Sequence, residues 1–564
     1  MATLPTKVNY PAGSRPDTLS TGLESSQYWA DRVARDAIAH SRRAARGLVT
    51  VRSASSPSGG KHIGNMNDQV RAYFIHLAVE DAGCTSRVVQ TSDDMDPLRV
   101  VPSRLPDGEG EWRELARGVV QEFSSHLGEP VSRVDDPFGC HGSWAEHFTV
   151  LLDEGLRSID VKLETYYVSE MYRRGEFDPV IRETLSKLDK VREVMSRFRS
   201  KDLRSWIPFQ AVCENCGKIA TRAVSFDMNS WTVEYECTGG VLHGKYAVKG
   251  CGHKGTTSLR NGKLPWRIEW VADWKLFDTD AEPFGKEHYE GSWKSGVALA
   301  REVFGFEPPV PLVYEFFLVD GQKMSSRLGN AYTLHDLSKI MEPEVIRYIY
   351  TKRPIAHRDV AIKSLPKFVD EFDRFERSVF EGKAQTEILR TYRFLFERPP
   401  TEKPYRVPYS VAAYIVQFYP PEEAFNRMVS SGMVPSDLDE RNSASVMNRL
   451  RLASNWVKLF AGEEYKVVLR QPPAKVDDPR IKRAFEYVSS VYSEKEMDGD
   501  ALQNLLYEAA KKFGVPTQRF FEKGYEITIG KRTGPRLGPF LATLDKGYVV
   551  KLFSSLEVEG PPKG

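Results

Sequence analysis

The chain has 564 residues, with 79 Lys and Arg against 77 Asp and Glu, a formal net charge of +2. Its 41% hydrophobic and 28% charged residues make an ordinary globular composition, which excludes collagen-like, coiled-coil and wholly disordered chains. No run approaches the roughly 20 apolar residues that span a bilayer, and the near-zero charge argues against gripping nucleic acid by bulk charge. Neither a membrane nor DNA is therefore an expected partner, and any polyanion is expected on a local basic surface.

The first 20 residues lack the apolar core of a secretory signal. Six cysteines in so long a chain are too few for a disulfide framework. Both features point to a reducing, cytoplasmic setting.

In chain order, residues 1–25 are rich in Pro, Thr, Ser and Gly and read as a flexible arm. A helix is predicted over 27–44, followed by a short alternating strand, 47–53. The strand runs into Ala54-Ser-Ser-Pro-Ser-Gly-Gly-Lys61, after which Ile63, Met66, Val70, Tyr73, Phe74 and Leu77 recur at helical spacing. A second strand over 87–92 starts a βαβ pattern, hence an α/β fold with a parallel sheet of Rossmann type. Ile181, Leu185, Leu188, Val191, Met195 and Phe198 form one helical stripe. A cysteine-bearing insertion interrupts the α/β pattern at 205–260, and the pattern resumes to 335. Beyond it the chain reads as all-α. Pro343 suits a first helical turn, Phe368, Phe372, Phe375 and Val379 share a face, and the Pro-rich stretch 398–408 reads as a linker. Leu450, Ala453, Val457 and Phe460 form a further face, and so do Leu502, Leu506, Ala509 and Phe513, closed by Gly514.

Two segments suit phosphate. Pro57-Ser-Gly-Gly-Lys-His-Ile-Gly-Asn65 lies between a strand and a helix, where glycines permit close backbone approach and the helix end offers N–H groups. His62 can donate a hydrogen bond there, the alternative being a tight turn capped by the histidine. Gly321-Gln-Lys-Met-Ser-Ser-Arg-Leu-Gly-Asn330 carries a Lys, two hydroxyls and an Arg that can neutralise a leaving polyphosphate; alone it would read as a solvated basic loop. Cys213-Glu-Asn-Cys216 is a CxxC knuckle, with Cys237 after 20 residues and Cys251 after 13 more. Four thiolates suit closed tetrahedral Zn(II), with His253 and His243 as alternative last ligands. Cys84 and Cys140 read as plain thiols.

As a pair, His62-Ile-Gly-Asn65 and Lys323-Met-Ser-Ser-Arg327 resemble the HIGH and KMSKS signatures of class I aminoacyl-tRNA synthetases. The likeness extends to the class I lysyl-tRNA synthetases through Asp93-Asp-Met-Asp-Pro-Leu-Arg99, Asp136-Pro-Phe-Gly-Cys-His-Gly-Ser-Trp-Ala-Glu-His147, Gly262-Lys-Leu-Pro-Trp-Arg267, Gly285-Lys-Glu-His288, Tyr314-Glu-Phe316 and Gly534-Pro-Arg-Leu-Gly-Pro-Phe540. Two positions depart from the signatures: Ser326 stands where many synthetases carry Lys, and Asn65 replaces the last His.

This resemblance implies ATP-dependent activation of L-lysine and its transfer to tRNA(Lys), with Mg(II) accompanying ATP and a structural Zn(II). It implies phosphate handling by His62, Lys323, Ser325 and Ser326, and ATP contacts from Pro57, Ser58, Gly64, Asn65 and Met324. It places Gly59, Trp266, His288 and Tyr314 in the lysine pocket. A cationic side chain wants a carboxylate beside an aromatic wall, and Asp94 and Glu315 rank ahead of Asp93 and Asp96 for that carboxylate. The implied domains are a Rossmann catalytic domain with a connective insertion (26–204 and 261–335), a zinc insertion (205–260), a stem-contact helical region (336–398) and an α-helical anticodon-binding domain (399–564). Lys531, Arg532 and Arg536 are a local basic run near its end, and Trp456 is expected in its core rather than stacked on a base.

Overall fold

The computed structural model describes residues 26–199, 202–243, 246–324, 331–382 and 384–559. The chain divides into two compact units. The first comprises 1–316, 350–358 and 382–401; the second comprises 317–349, 359–381 and 402–564.

The first unit opens with α1 (Trp29–Arg43), β1 (Val49–Ser55), α2 (Asn67–Asp81) and β2 (Ser86–Ser92). After α3 (Trp144–Arg157) come β3 (Glu164–Tyr167), α4 (Trp266–Leu276), β4 (Thr279–Gly285) and β5 (Val310–Tyr314). The five strands form one parallel sheet in the order β5-β4-β1-β2-β3. This is the doubly wound order expected of a Rossmann-type fold: strands are added to one side of β1 and then to the other, so the winding reverses between β1 and β4. Ligands of such sheets bind outside the carboxyl ends at that switch point, which is where β1 delivers Pro57–Asn65.

The predicted βαβ start is borne out. Every residue of β4 is buried, and α2 is buried on nearly all sides, as a helix with apolar residues all round must be. Helix α2 begins at Asn67, so Ile63 and Met66 pack from the preceding turn. The stripe over 177–198 is two helices, Asp178–Ser186 and Leu188–Ser196. Lys187 breaks them at φ −104°, ψ 27°, while Ile181, Leu185, Val191 and Met195 stay buried across the break.

The insertion carries a three-stranded antiparallel sheet (Arg222–Asp227, Thr232–Glu236, Lys254–Ser258) and a hairpin (Gly239–His243 with Tyr246–Lys249). A shorter hairpin in the first unit pairs Arg104–Pro106 with Trp112–Glu114.

The second unit is mainly helical beyond a small sheet that includes Phe317–Val319 and Gln322–Lys323. Its long helices are Leu365–Phe380, Glu440–Leu459, Pro479–Glu494, Gly499–Lys512 and Thr517–Ile529. Arg449 is buried between Glu342 and Asp373, each 2.6 Å away. Trp456 is fully buried and donates Nε1–H to the Ile362 carbonyl at 2.8 Å, so it is core and offers no face to a base. Among the described residues, no helix is long and apolar enough to cross a membrane.

Within the first unit Arg390 ties α1 to α2. Its guanidinium, 4% exposed, meets Asp31 at 2.6 Å and Asp81 at 2.9 Å. Arg390→Ala leaves both carboxylates with a buried partner missing and is expected to cost about 3–5 kcal/mol, read as a lowered urea midpoint.

Candidate active site

The first signature is a turn stapled by its own histidine. His62 Nδ1 accepts from the Gly64 N–H at 3.1 Å and the Asn65 N–H at 3.3 Å. With Nδ1 an acceptor, the proton of the neutral ring sits on Nε2, the nitrogen facing away from the turn. The histidine therefore caps its own turn, as one of the two sequence readings expects. The two amides are taken by the ring, so these N–H groups are not the turn's donors to a phosphate. The turn is held from behind: Tyr350 donates to the Ile63 carbonyl at 2.8 Å, and Asn67 Nδ2 donates to the Gly64 carbonyl at 3.1 Å.

Glycine is required at two points before it. Gly59 has φ +155°, and a Cβ on Gly60 would lie 2.8 Å from the Pro106 ring. The 104–114 hairpin thus presses on the signature loop.

Trp266, at the start of α4, packs on His288 with ring centroids 5.3 Å apart and stacks on Trp270, also at 5.3 Å. Tyr314 lies opposite Gly285 in the β4–β5 register. Trp266, Trp270 and His288 thus form one aromatic cluster, and Tyr314 ends the strand next to the one that leads to His288. The Tyr314 hydroxyl donates to Asp68 Oδ1 at 2.6 Å, and burial pushes the Asp68 carboxyl up to about 8. Asp68 was not among the sequence candidates. Its signal is position: it falls in the first turn of the helix that follows the signature.

Behind the wall lies a buried ion network. Arg52, on β1, pairs with Asp273 and with Glu282, the latter at 2.7 Å; Lys263 pairs with Asp96 at 2.9 Å and Glu269 at 2.6 Å. Trp270 donates to Glu282 at 2.9 Å and Tyr172 to Glu269 at 2.7 Å. Half-buried Asp93 lies beside these groups, and with Lys61 and Arg99 counted among the cations the carboxylates still outnumber them. Burial accordingly raises the carboxyls of Asp93, Asp273 and Glu282, and brings Glu269 up to about 7. Asp96 resists the same push because Lys263 and Arg99 hold it ionised below its ordinary value.

The two acids favoured from sequence for an ammonium are engaged elsewhere. Asp94 accepts from the Ser169 N–H at 2.7 Å and from its hydroxyl, in a separate recess with Glu146 and Tyr167. Glu315 is held by Lys286 at 2.6 Å.

Lys323 and Met324 belong to the second unit. Lys323 ends a hairpin whose turn contains Asp320 and Gly321, both at positive φ, with the Gly321 N–H donating to Asp359 at 3.0 Å. Its side chain is exposed and that of Met324 is buried. Ser325, Ser326 and Arg327 lie outside the described residues. Lys531, Arg532 and Arg536 are each tied to a local acceptor: the Glu464 carbonyl, Glu526 and Asp500.

Two groups could hold a metal. The sulfurs of Cys213, Cys216, Cys237 and Cys251 lie within 4.8 Å of one another. The hairpin 239–249 absorbs the long spacing before Cys251, so Cys251 rather than His253 joins the cluster. A second group, Asp136, Cys140, His141 and His147, is equally tight. Cys140 is thus more than the plain thiol its sequence context suggests; its partners follow at spacings outside the CxxC pattern. His147 Nε2 donates to the Pro106 carbonyl at 3.0 Å, which leaves Nδ1 facing the cluster. The same Pro106 presses on Gly60.

The family described as tRNA synthetases class I (K) matches residues 27–395. The lysine–tRNA ligase of Haloarcula marismortui is 37% identical across 94% of this chain and 97% of its own length. That of Pyrococcus horikoshii is 33% identical across 94% of this chain and 100% of its own. Among solved structures, a glutamate tRNA ligase from Elizabethkingia meningosepticum aligns with TM-score 0.40 and 11% identity, covering 89% of this chain and 97% of its own. The chain belongs to the class I (K) tRNA synthetase family.

Gly60→Ala drives a Cβ into the Pro106 ring. It is expected to lower the rate of amino-acid activation about 10- to 100-fold by displacing the signature turn, with little change in melting temperature. Pyrophosphate exchange beside a thermal melt checks both parts.

Proposed function

We propose that this chain is a lysine–tRNA ligase that activates L-lysine with Mg·ATP and transfers it to the 3′-terminal adenosine of tRNA(Lys). The observation that carries the reading is the union of a His62 signature turn at the sheet's switch point with an aromatic wall backed by surplus buried carboxylate. The turn suits a nucleotide phosphate, and the acid-rich wall suits a cationic amino acid.

The lysine carboxylate attacks the α-phosphate in line, forming lysyl-adenylate and releasing pyrophosphate. The tRNA hydroxyl then displaces AMP. The chain contributes position and charge rather than covalent chemistry. His62 Nε2–H steadies a phosphate oxygen, with Pro57, Ser58, Gly64 and Asn65 lining the nucleotide. Lys323, with Ser325 and Ser326, neutralises the leaving pyrophosphate. Gly59 lies at the α-amino end, and Trp266, His288 and Tyr314 enclose the side chain. Asp68 is the carboxylate we assign to the substrate ammonium: its Tyr314 partner is neutral, whereas Lys286 already neutralises Glu315 and Asp94 lies in a separate recess. Mg(II) comes with ATP.

Residues 26–204 and 261–335 serve catalysis, 336–398 the stem and 399–564 the anticodon. Both metal-ligand groups suit structural Zn(II): four thiolates in 205–260, and an Asp, a Cys and two His beside the signature loop. Metal analysis of the purified protein is expected to find about two zinc ions per chain by this donor count. Cys140→Ala is expected to retain one and to weaken ATP binding through the Pro106 hairpin.

ATP–pyrophosphate exchange run with each amino acid in turn tests the activity: lysine alone is expected to support it, and a signal only with glutamate would overturn the reading. The Asp68 role has a pH signature. The carboxyl titrates at about 8, whereas a free lysine ammonium stays charged to about pH 10. The ionised acid needed for pairing therefore grows as pH rises from 6 to 8, and KM for lysine should fall over that range. Asp68→Asn should raise KM for lysine and flatten this dependence, with KM for ATP nearly unchanged.

A further inference from the structure

Some arginines of the first unit are matched to acids, and others, such as Arg87 and Arg133, bond neutral acceptors. Arg46, Arg52, Arg192, Arg222 and Arg260 each have a carboxylate within 4 Å. Arg199 and Arg267 are of the second kind, and they stand together. They line one open recess of 450 Å³ together with Arg197, Phe198, Glu290 and Gly291. Among the described residues neither has a carboxylate partner. Arg267 reaches only the Ser295 hydroxyl, at 3.4 Å, and Arg199 lies over the Trp206 ring at 5.2 Å. Arg197 pairs with Glu302 at 2.6 Å, and Glu290 is engaged by Lys294. Two unneutralised guanidiniums sharing a recess repel each other, a cost that an incoming anion removes.

The position of the recess narrows the choice of anion. Arg267 follows Trp266 directly at the start of α4. Successive helical positions point about 100° apart, so the two side chains leave the helix on different sides. Gly291 and Glu290 lie just past His288, whose ring packs on Trp266 at 5.3 Å. The aromatic wall thus has the lysine pocket on one side and the arginine recess on the other. The nucleotide's phosphates already have their place at the signature turn after β1. A different polyanion must come up to the amino-acid side for transfer to occur, namely the 3′ end of the RNA.

We propose that Arg199 and Arg267, flanked by Arg197, bind a backbone phosphate of the acceptor end of the tRNA and thereby seat its 3′ terminus against the lysine pocket. Trp206 holds the Arg199 guanidinium in place by its ring face. The inference rests on the lysine–tRNA ligase reading and places one contact of that RNA.

The test uses the full chain with a tRNA(Lys) transcript and with an acceptor minihelix that lacks the anticodon arm. Binding is measured against salt, alongside lysine-dependent pyrophosphate exchange without RNA. The Arg199→Ala, Arg267→Ala double variant is expected to raise Kd for both RNAs about 10-fold or more and to lower the slope of log K against log salt by about 1 to 2, near one per lost phosphate contact. Exchange should stay within about twofold of wild type, and Arg199→Lys, Arg267→Lys should recover part of the affinity because it restores charge. Unchanged RNA affinity and salt slope would overturn the proposal. So would a loss confined to the full tRNA, which moves the contact away from the acceptor end, or a collapse of exchange with RNA binding intact, which gives the recess to ATP or pyrophosphate. Absence of exchange in the wild-type protein would instead sink the ligase reading, whatever the arginines do.

Discussion

Much of the catalytic unit depends on two cations kept out of water. Arg52 comes from β1, and its partners Asp273 and Glu282 come from α4 and β4. Lys263 comes from the strand that leaves the cysteine insertion, and its partners Asp96 and Glu269 come from the segment after β2 and from α4. These pairs fasten the middle of the sheet, the helix bearing the aromatic wall and the return of the insertion at one place. Removing one member of a buried pair costs about 3–5 kcal/mol because its partner is left charged in a poor solvent. The network therefore constrains where the insertion can attach and how α4 presents Trp266.

The same network carries more acid than base, which is what links stability to substrate. A buried carboxylate without a counter-ion either takes a proton or waits for a cation. Burial raises the carboxyl of Asp93, with Asp96 beside it adding to the push, and it raises Glu269, Asp273 and Glu282 as well, although Lys263 and Arg52 pair with them. A ligand bringing an ammonium supplies such a cation. A surplus of acid behind the wall suits a cationic side chain better than an anionic one.

The legible part of the molecule was what repeats or clusters along the chain. β1, its glycine loop and α2 stood out because period-two and helical spacings flank a run of small residues, and the four-thiol group because CxxC is short. Trp266, His288 and Tyr314 were named only through family resemblance, since they are scattered along the chain and Trp266 and His288 come together only in the fold. Asp68 escaped because a lone acid in a helix's first turn ordinarily serves the helix dipole. Asp136, Cys140, His141 and His147 escaped because three of them resemble turn residues until α3 brings His147 back to them. The break at Lys187 escaped because the buried stripe continues through it: Ile181 and Met195 face the same core on either side of one non-helical residue.

The net charge of +2 first spoke against nucleic acid, and the pairing pattern shows why that inference was too coarse. Lys531, Arg532 and Arg536 look basic in sequence, yet acceptors within hydrogen-bonding reach already hold each of them. Arg199 and Arg267 are 68 positions apart and make no basic run, yet they share one recess whose acid, Glu290, is taken by Lys294. Attraction for a polyanion depends on charge left uncancelled at short range, because paired charges present only a dipole to an approaching phosphate and salt screens what remains beyond about 10 Å. A nearly neutral chain can therefore hold RNA wherever its folding leaves cations unmatched, and such places are visible only once the partners of every arginine are known.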